Sequence, residues 1–141
     1  MKVRDINEFL VHNIQLKIPK GPLKEKVTYH DPCHLARSMG VTKEPRDILQ
    51  RIPGVDYVEM IEADTCCGFG GSFSISFYEL SHRINEGKLK IIDDTQATTL
   101  ATSCPGCMVH FRDGIAQHHM NQKVLHTVQL LSQAYGRRAE K

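Results

Sequence analysis

Thr98-Thr99-Leu100-Ala101-Thr102-Ser103-Cys104-Pro105-Gly106-Cys107-Met108 contains, in one run, the unit from which the chain is built. Thr98 to Thr102 is rich in β-branched residues and reads as a strand. It ends at Ser103-Cys104-Pro105, and Pro105 suits the first position of a helix, where an N–H would have no partner. Met108, Phe111 and Ile115 come next at helical spacing and mark the buried face. A strand, a cysteine-bearing turn and a helix result.

The same unit recurs in both directions along the chain. Val27-Thr28-Tyr29-His30 reads as a strand, Asp31-Pro32 ends it, and Cys33 opens the next segment. A helix is predicted from near Pro45 with Ile48, Leu49 and Ile52 inward, stopping at Pro53-Gly54. Asp56 to Ile61 alternates as a strand, and the glycine-rich turn around Cys66 and Cys67 comes next. Phe73, Phe77, Leu80 and Ile84 recur at offsets of four, three and four, which predicts one helix with these residues in the core. Gly87 is expected to end or kink that helix. Lys123 to His126 is a short strand, and Thr127 is expected to cap a last helix through Val128, Leu131, Ala134 and Tyr135. Asp5 caps a short first helix with Glu8 three residues on, and Lys17 to Lys26 connects it to the body. Strands alternating with helices imply an α/β fold, a mostly parallel sheet with helices on both faces. The expected organisation is a single domain over 1–141, with helix and connector at 1–26 and the α/β body at 27–141.

Bulk composition excludes several function classes. Across 141 residues, 40% are hydrophobic and 24% charged, the balance of a globular protein and not of a disordered one. The net charge is +2, and no basic cluster is interleaved with aromatics; Arg137, Arg138 and Lys141 read as a solvated tail, so no nucleic-acid partner is expected. No apolar run reaches membrane-spanning length and the start lacks a signal-peptide core, which points to the cytoplasm.

Five cysteines without an export signal argue against a disulfide framework and for metal or redox chemistry. Each group comes just after a predicted strand: Cys33, then Cys66 and Cys67, then Cys104 and Cys107. In a parallel sheet those turns share the carboxyl edge, where open α/β sheets bind ligands. Cys104 and Cys107 also sit at a helix N-terminus, which favours thiolate over thiol. Turning the adjacent Cys66 and Cys67 toward one centre requires a distorted turn, which Gly68, Gly70 and Gly71 can supply. Backbone amides there could donate to cluster sulfurs. Zinc competes, because four thiolates complete its tetrahedron, although one cysteine is then left over. A thioredoxin-like role would use Cys104 and Cys107 alone.

The order Cys33, then Cys66-Cys67-Gly68, then Cys104-Pro105-Gly106-Cys107, with intervals of 32 and 36 residues, resembles the CCG cysteine-rich domain family. That family includes the catalytic subunit of heterodisulfide reductase and iron–sulfur subunits of glycolate and lactate oxidases. His30-Asp31-Pro32-Cys33-His34-Leu35-Ala36-Arg37 and Cys66-Cys67-Gly68-Phe69-Gly70-Gly71-Ser72-Phe73 resemble the glycolate-oxidase-like branch, and the match is to a C-terminal copy of the domain. The resemblance implies that all five cysteines ligate an iron–sulfur cluster, in some members a non-cubane centre of four irons and four sulfurs. It further implies electron transfer from a flavoprotein dehydrogenase subunit that oxidises a 2-hydroxyacid, with no turnover by the domain alone, and peripheral membrane association through a complex. Such subunits usually carry two CCG domains preceded by ferredoxin-like cysteine runs, neither of which is present here, so the rest of an iron–sulfur subunit is an expected partner. Zinc accompanies some C-terminal copies, which keeps a zinc-stabilised interaction module as an alternative; heterodisulfide-type thiol reduction is another.

The remaining polar residues are read conservatively. His30 and His34 are taken as surface or strand-end histidines, with donation to cluster sulfur as the alternative, and Asp31 as a turn residue beside Pro32. His118 and His119 are read as structural, late in a helix. Arg37 and Arg83 are read as solvated helix positions.

Overall fold

Strands separated by helices must re-enter the sheet from the same end, which makes parallel pairing the natural outcome. A computed structural model of the chain describes residues 3–136 except 15, 18 and 20. Its strands are β1 (Glu25–His30), β2 (Val55–Tyr57), β3 (Thr99–Thr102) and β4 (Lys123–His126), and they form one sheet of order β2-β1-β3-β4. All three pairings are parallel. His30 lies opposite Thr102, which lies opposite His126, so three strands finish level at the carboxyl edge.

The α-helices are α1 (Ile6–His12), α2 (Lys43–Arg51), α3 (Phe73–Ser76), α4 (Tyr78–Asp94), α5 (Pro105–Gln117) and α6 (Thr127–Ala134). The period-2 alternation of the strands sorts their side chains into two cores. Leu100 and Val124 pack with Leu89 and Ile92 of α4 and Phe111 and Ile115 of α5. Val27, Tyr29 and Ala101 pack on the opposite face with Ile48 and Leu49 of α2 and Leu130 and Leu131 of α6, and Leu10 and Val11 of α1 join them. The expected α/β architecture is therefore present, helices on both faces.

Winding direction reverses between β1 and β3. The chain goes from β1 to β2 through α2 on one face, then crosses β1 to reach β3 through α4 on the other. Such a reversal opens a crevice beyond the strand ends, and Cys33 and Cys104 flank it.

Several local expectations give way. β2 stops at Tyr57 instead of Ile61, and β1 starts at Glu25, two residues before Val27. The predicted helix from Phe73 is broken at Phe77, whose ψ of 52° separates α3 from α4. Its apolar stripe is not core: Phe77 is 61% and Leu80 52% exposed. The buried face of α4 carries Ser81, Asn85, Lys88, Leu89 and Ile92 instead. Gly87 lies inside α4 and ends nothing. The last helix is capped by His126, whose Nδ1 accepts from the Val128 N–H, while Thr127 is its first residue. The basic tail at Arg137, Arg138 and Lys141 lies outside the described residues.

Candidate metal centre

Each cysteine-bearing segment has its own reason for being where it is. After β1, Asp31-Pro32 leads into a π-helical turn over His34–Ser38, with the Ala36 N–H bonded to the Pro32 carbonyl at 2.9 Å. π-helical turns are rare and concentrate at functional sites. Asp31 is no simple turn residue. It is 5% exposed, and its carboxylate accepts both terminal nitrogens of Arg46, at 2.9 and 2.7 Å. Arg46 also grips Glu59 at 2.7 Å and lies 5.2 Å over the Tyr29 ring. This bidentate ion pair ties α2 to the segment leading to Cys33.

The segment from the end of β2 to Gly68 is irregular, so its carbonyls have no ladder to bond to and need donors from elsewhere. The polar face of α4 supplies them. Ser81 Oγ donates to the Gly68 carbonyl at 2.7 Å, Asn85 Nδ2 to the Cys67 carbonyl at 3.2 Å, and Lys88 Nζ to the Glu62 carbonyl. Gly68 takes φ +95°, and a Cβ there would stand 2.6 Å from the Ser81 carbonyl oxygen. Gly70 and Gly71 are left-handed as well, completing the distorted turn that the adjacent cysteines require.

On the third segment, Cys104 is the N-cap of α5 and Pro105 its first residue, which carries Cys107 inward. Ser103 beside it anchors a buried network: Asn7 Nδ2 and the Tyr29 hydroxyl donate to Ser103 Oγ at 3.0 and 3.2 Å, and Thr127 Oγ1 lies 2.9 Å away.

These segments bring sulfur atoms together. Cys67 and Cys107 are buried with their Sγ atoms 3.3 Å apart. The hydrogen bond shared with Cys107 pulls the Cys67 thiol down to about 4 against the cost of burial. Cys104 is lowered to about 5, first by its bond to Cys107 and then by the Cys107 and Gly106 backbone amides. The same two bonds, to Cys104 and to Cys67, push the Cys107 thiol up. Cys67 and Cys104 are thus drawn toward thiolate while Cys107 holds its proton more firmly. Cys33 and Cys66 are exposed; burial raises the Cys66 thiol, and Cys33 stands close enough to raise it further. All five cysteines are free thiols.

His30 does end β1, as the strand-end reading has it, but it is not on the surface. It is 1% exposed, and among the described residues neither ring nitrogen has a hydrogen-bond partner. Its ring packs edge-on against Phe111 at 4.9 Å, and one ring nitrogen lies within 4.8 Å of both the Cys67 and Cys107 sulfurs. An imidazole stripped of water and left without a partner costs several kcal/mol by the usual scale, roughly 2–7 for a buried polar group. A cation, or sulfide acceptors, between His30, Cys67 and Cys107 would satisfy both the ring and the crowded thiolates. The residues therefore fit a thiophilic metal or an iron–sulfur group. Sequence reasoning also missed Arg46, Ser81, Asn85 and Lys88; polar residues at positions 81, 85 and 88, one helix face, were the available signal. His34, Arg37 and Arg83 are not buried.

The chain is similar to known proteins along most of its length. The profile of the family called CCG, described as a cysteine-rich domain, matches residues 27–112. The chain is 38% identical over 136 residues to one subunit of the fumarate reductase (CoM/CoB) of Methanothermobacter marburgensis, covering 96% of this chain and 28% of the relative. It is 33% identical over 131 residues to lactate utilization protein A of Lysinibacillus sphaericus, 93% of this chain and 58% of the relative. An uncharacterized iron–sulfur protein of Methanococcus maripaludis is 44% identical over 117 residues, 83% of this chain and 23% of that protein. The chain thus spans less than two thirds of the length of these relatives.

Proposed function

The chain belongs to the CCG cysteine-rich domain family, and from that premise we propose that it is an electron-transfer domain holding an iron–sulfur centre on Cys33, Cys66, Cys67, Cys104 and Cys107. In this reading it works beside a flavoprotein dehydrogenase subunit that oxidises a 2-hydroxyacid of the glycolate or lactate type. The observation that carries the proposal is the buried pair Cys67 and Cys107, 3.3 Å apart, faced by an imidazole without a partner among the described residues. The likeness to lactate utilization protein A supports the substrate class.

When bound, the centre supplies a one-electron store. The chain's own residues hold and insulate it. Cys67 and Cys104 are biased toward the thiolate form that a ligand needs, and Cys107 would give up its proton on ligation. The Gly68 N–H donates to Cys66 Sγ at 3.4 Å, and the Gly106 amide donates to Cys104. Such donors withdraw negative charge from sulfur and raise a centre's potential. Met60, Met108, Phe111 and Phe69 keep water from the inner side. Cys33 and Cys66 face outward, so electrons would enter and leave on that side. The partners are then the flavoprotein and the remainder of a longer iron–sulfur subunit, with ferredoxin-like and further CCG segments. Among the described residues no helix is long and apolar enough to cross a membrane, so any membrane contact would run through the complex.

A second reading rests on a specific observation: His30, Cys67 and Cys107 gather their donor atoms within 4.8 Å of one another, and Cys104, hydrogen-bonded to Cys107, adds a fourth donor of a kind that suits structural zinc. Metal and sulfide analysis of anaerobically prepared protein, with ultraviolet–visible and paramagnetic resonance spectra, separates the two. Iron with sulfide is the expected result, and stoichiometric zinc without iron would replace the first reading with the second. Serine at each cysteine sharpens the test. The five-ligand centre is perturbed by every replacement, whereas the zinc site ignores Cys33→Ser and Cys66→Ser.

A further inference from the structure

We propose a second metal site, separate from the cysteines, in which His82, Glu86 and His118 take a divalent transition cation of the zinc type. His82 and Glu86 are one turn apart on α4, and His118 caps the end of α5. One donor atom from each lies within 4.8 Å of the others, with His118 Nε2 3.5 Å from Glu86 Oε1. A tetrahedral cation with bonds of about 2.0–2.1 Å holds its donors about 3.4 Å apart, so modest side-chain rotation closes the set. Asp113 Oδ2 lies 4.0 Å from His82 Nε2 and serves as an outer carboxylate beside that ligand, leaving the fourth position to water. Gln117 Nε2 holds that carboxylate at 2.9 Å, and the Tyr78 ring packs 5.0 Å from the His82 ring, so both side chains are oriented from outside.

The helices meet here for a backbone reason. A Cβ on Gly114 would stand 2.0 Å from Asn85 Oδ1 and 2.9 Å from Leu89 Cδ1, so glycine alone allows this approach. Close approach of α4 and α5 at Gly114 is what brings His118 within reach of His82 and Glu86, and Asp113 beside His82. The donor set is imidazole and carboxylate, unlike the thiolates at the sheet edge, so the two sites select cations on different chemistry. The cation would staple α4 to α5. α4 holds the Cys67 and Gly68 carbonyls through Asn85 and Ser81, and α5 carries Cys107, so the staple braces the frame of the cysteine centre.

Anaerobic titration of the full chain with Co2+ tests this. Thiolate-bound cobalt shows intense sulfur-to-metal charge transfer, whereas cobalt on imidazole and carboxylate shows weak visible bands alone. The expected result is one equivalent of the second kind, lost in His82→Ala and in His118→Ala. Glu86→Gln, which keeps the side-chain shape, should lower affinity at least ~10-fold, the lower bound for disturbing even an outer partner. Circular dichroism melts without added metal should match the parent in all variants. Equal cobalt uptake by parent and histidine variants, or cobalt of the thiolate kind alone, overturns the proposal whatever the cysteines bind.

Discussion

The sulfurs of Cys67 and Cys107 lie 3.3 Å apart across 40 residues of sequence, in a buried contact that no local motif specifies. A disulfide needs sulfurs at about 2.05 Å, so a small closure suffices. In metal-free chain, diamide should take two electrons from this pair, with one proton from the Cys107 thiol and one from water completing its reduction to the hydrazine, and leave a Cys67–Cys107 disulfide. Mass-spectrometric mapping under denaturation checks it, and metal-loaded chain should resist. A first bridge between Cys33 and Cys66 would contradict the geometry.

Protonation of the sulfur trio sets a pH dependence. Cys67 and Cys104 titrate near 4 and 5 in the fold against an ordinary 9.0. A lowered pKa stabilises the fold in full above the ordinary value, and that stabilisation fades as pH falls toward 5 and then 4. Cys107, raised, works in the opposite sense and loses its contribution only as pH climbs above 9.0. The melting temperature of metal-free chain should therefore rise from pH 5 to pH 8 relative to a Cys67→Ser, Cys104→Ser double variant. A flat difference between the two would refute the thiolate assignment.

His30→Phe separates packing from ligation. A phenyl ring keeps the contact with Phe111 and removes two unpartnered nitrogens, so metal-free variant should be as stable as the parent or more so by about 1–3 kcal/mol. Metal-loaded variant should lose: its centre binds more weakly, and if it is an iron–sulfur centre its potential falls, because a donor to sulfur is gone. Calorimetry of both forms and a redox titration read the two effects. A loaded form that behaves like the parent would remove His30 from the centre.

Arg46→Met leaves the Asp31 carboxylate buried without its bidentate partner and should cost about 3 kcal/mol in urea unfolding. Adding Asp31→Asn should recover part of that loss, because the stranded charge is gone. Additive losses in the double variant would show that the pair is not coupled.

The sequence by itself determined the alternation of strands and helices and the place of the cysteines after strands. β-branched runs, Pro105 at a helix start and cysteines just past strand ends are local signals, set by backbone sterics within a few residues, and they carry over directly into β1, β3 and α5. Tertiary structure decided which side of each element faces in. The stripe Phe73, Phe77, Leu80 and Ile84 misled because apolar periodicity marks a core only when the core wants apolar side chains. The loop from Glu62 to Gly68 pairs with no strand, its carbonyls demand donors, and α4 therefore turns Ser81, Asn85 and Lys88 inward. His30 went the same way. At a strand end it reads as exposed, but the level carboxyl edges of β1 and β3 and the approach of α5 close over it, and burial beside two sulfurs depends on that packing alone.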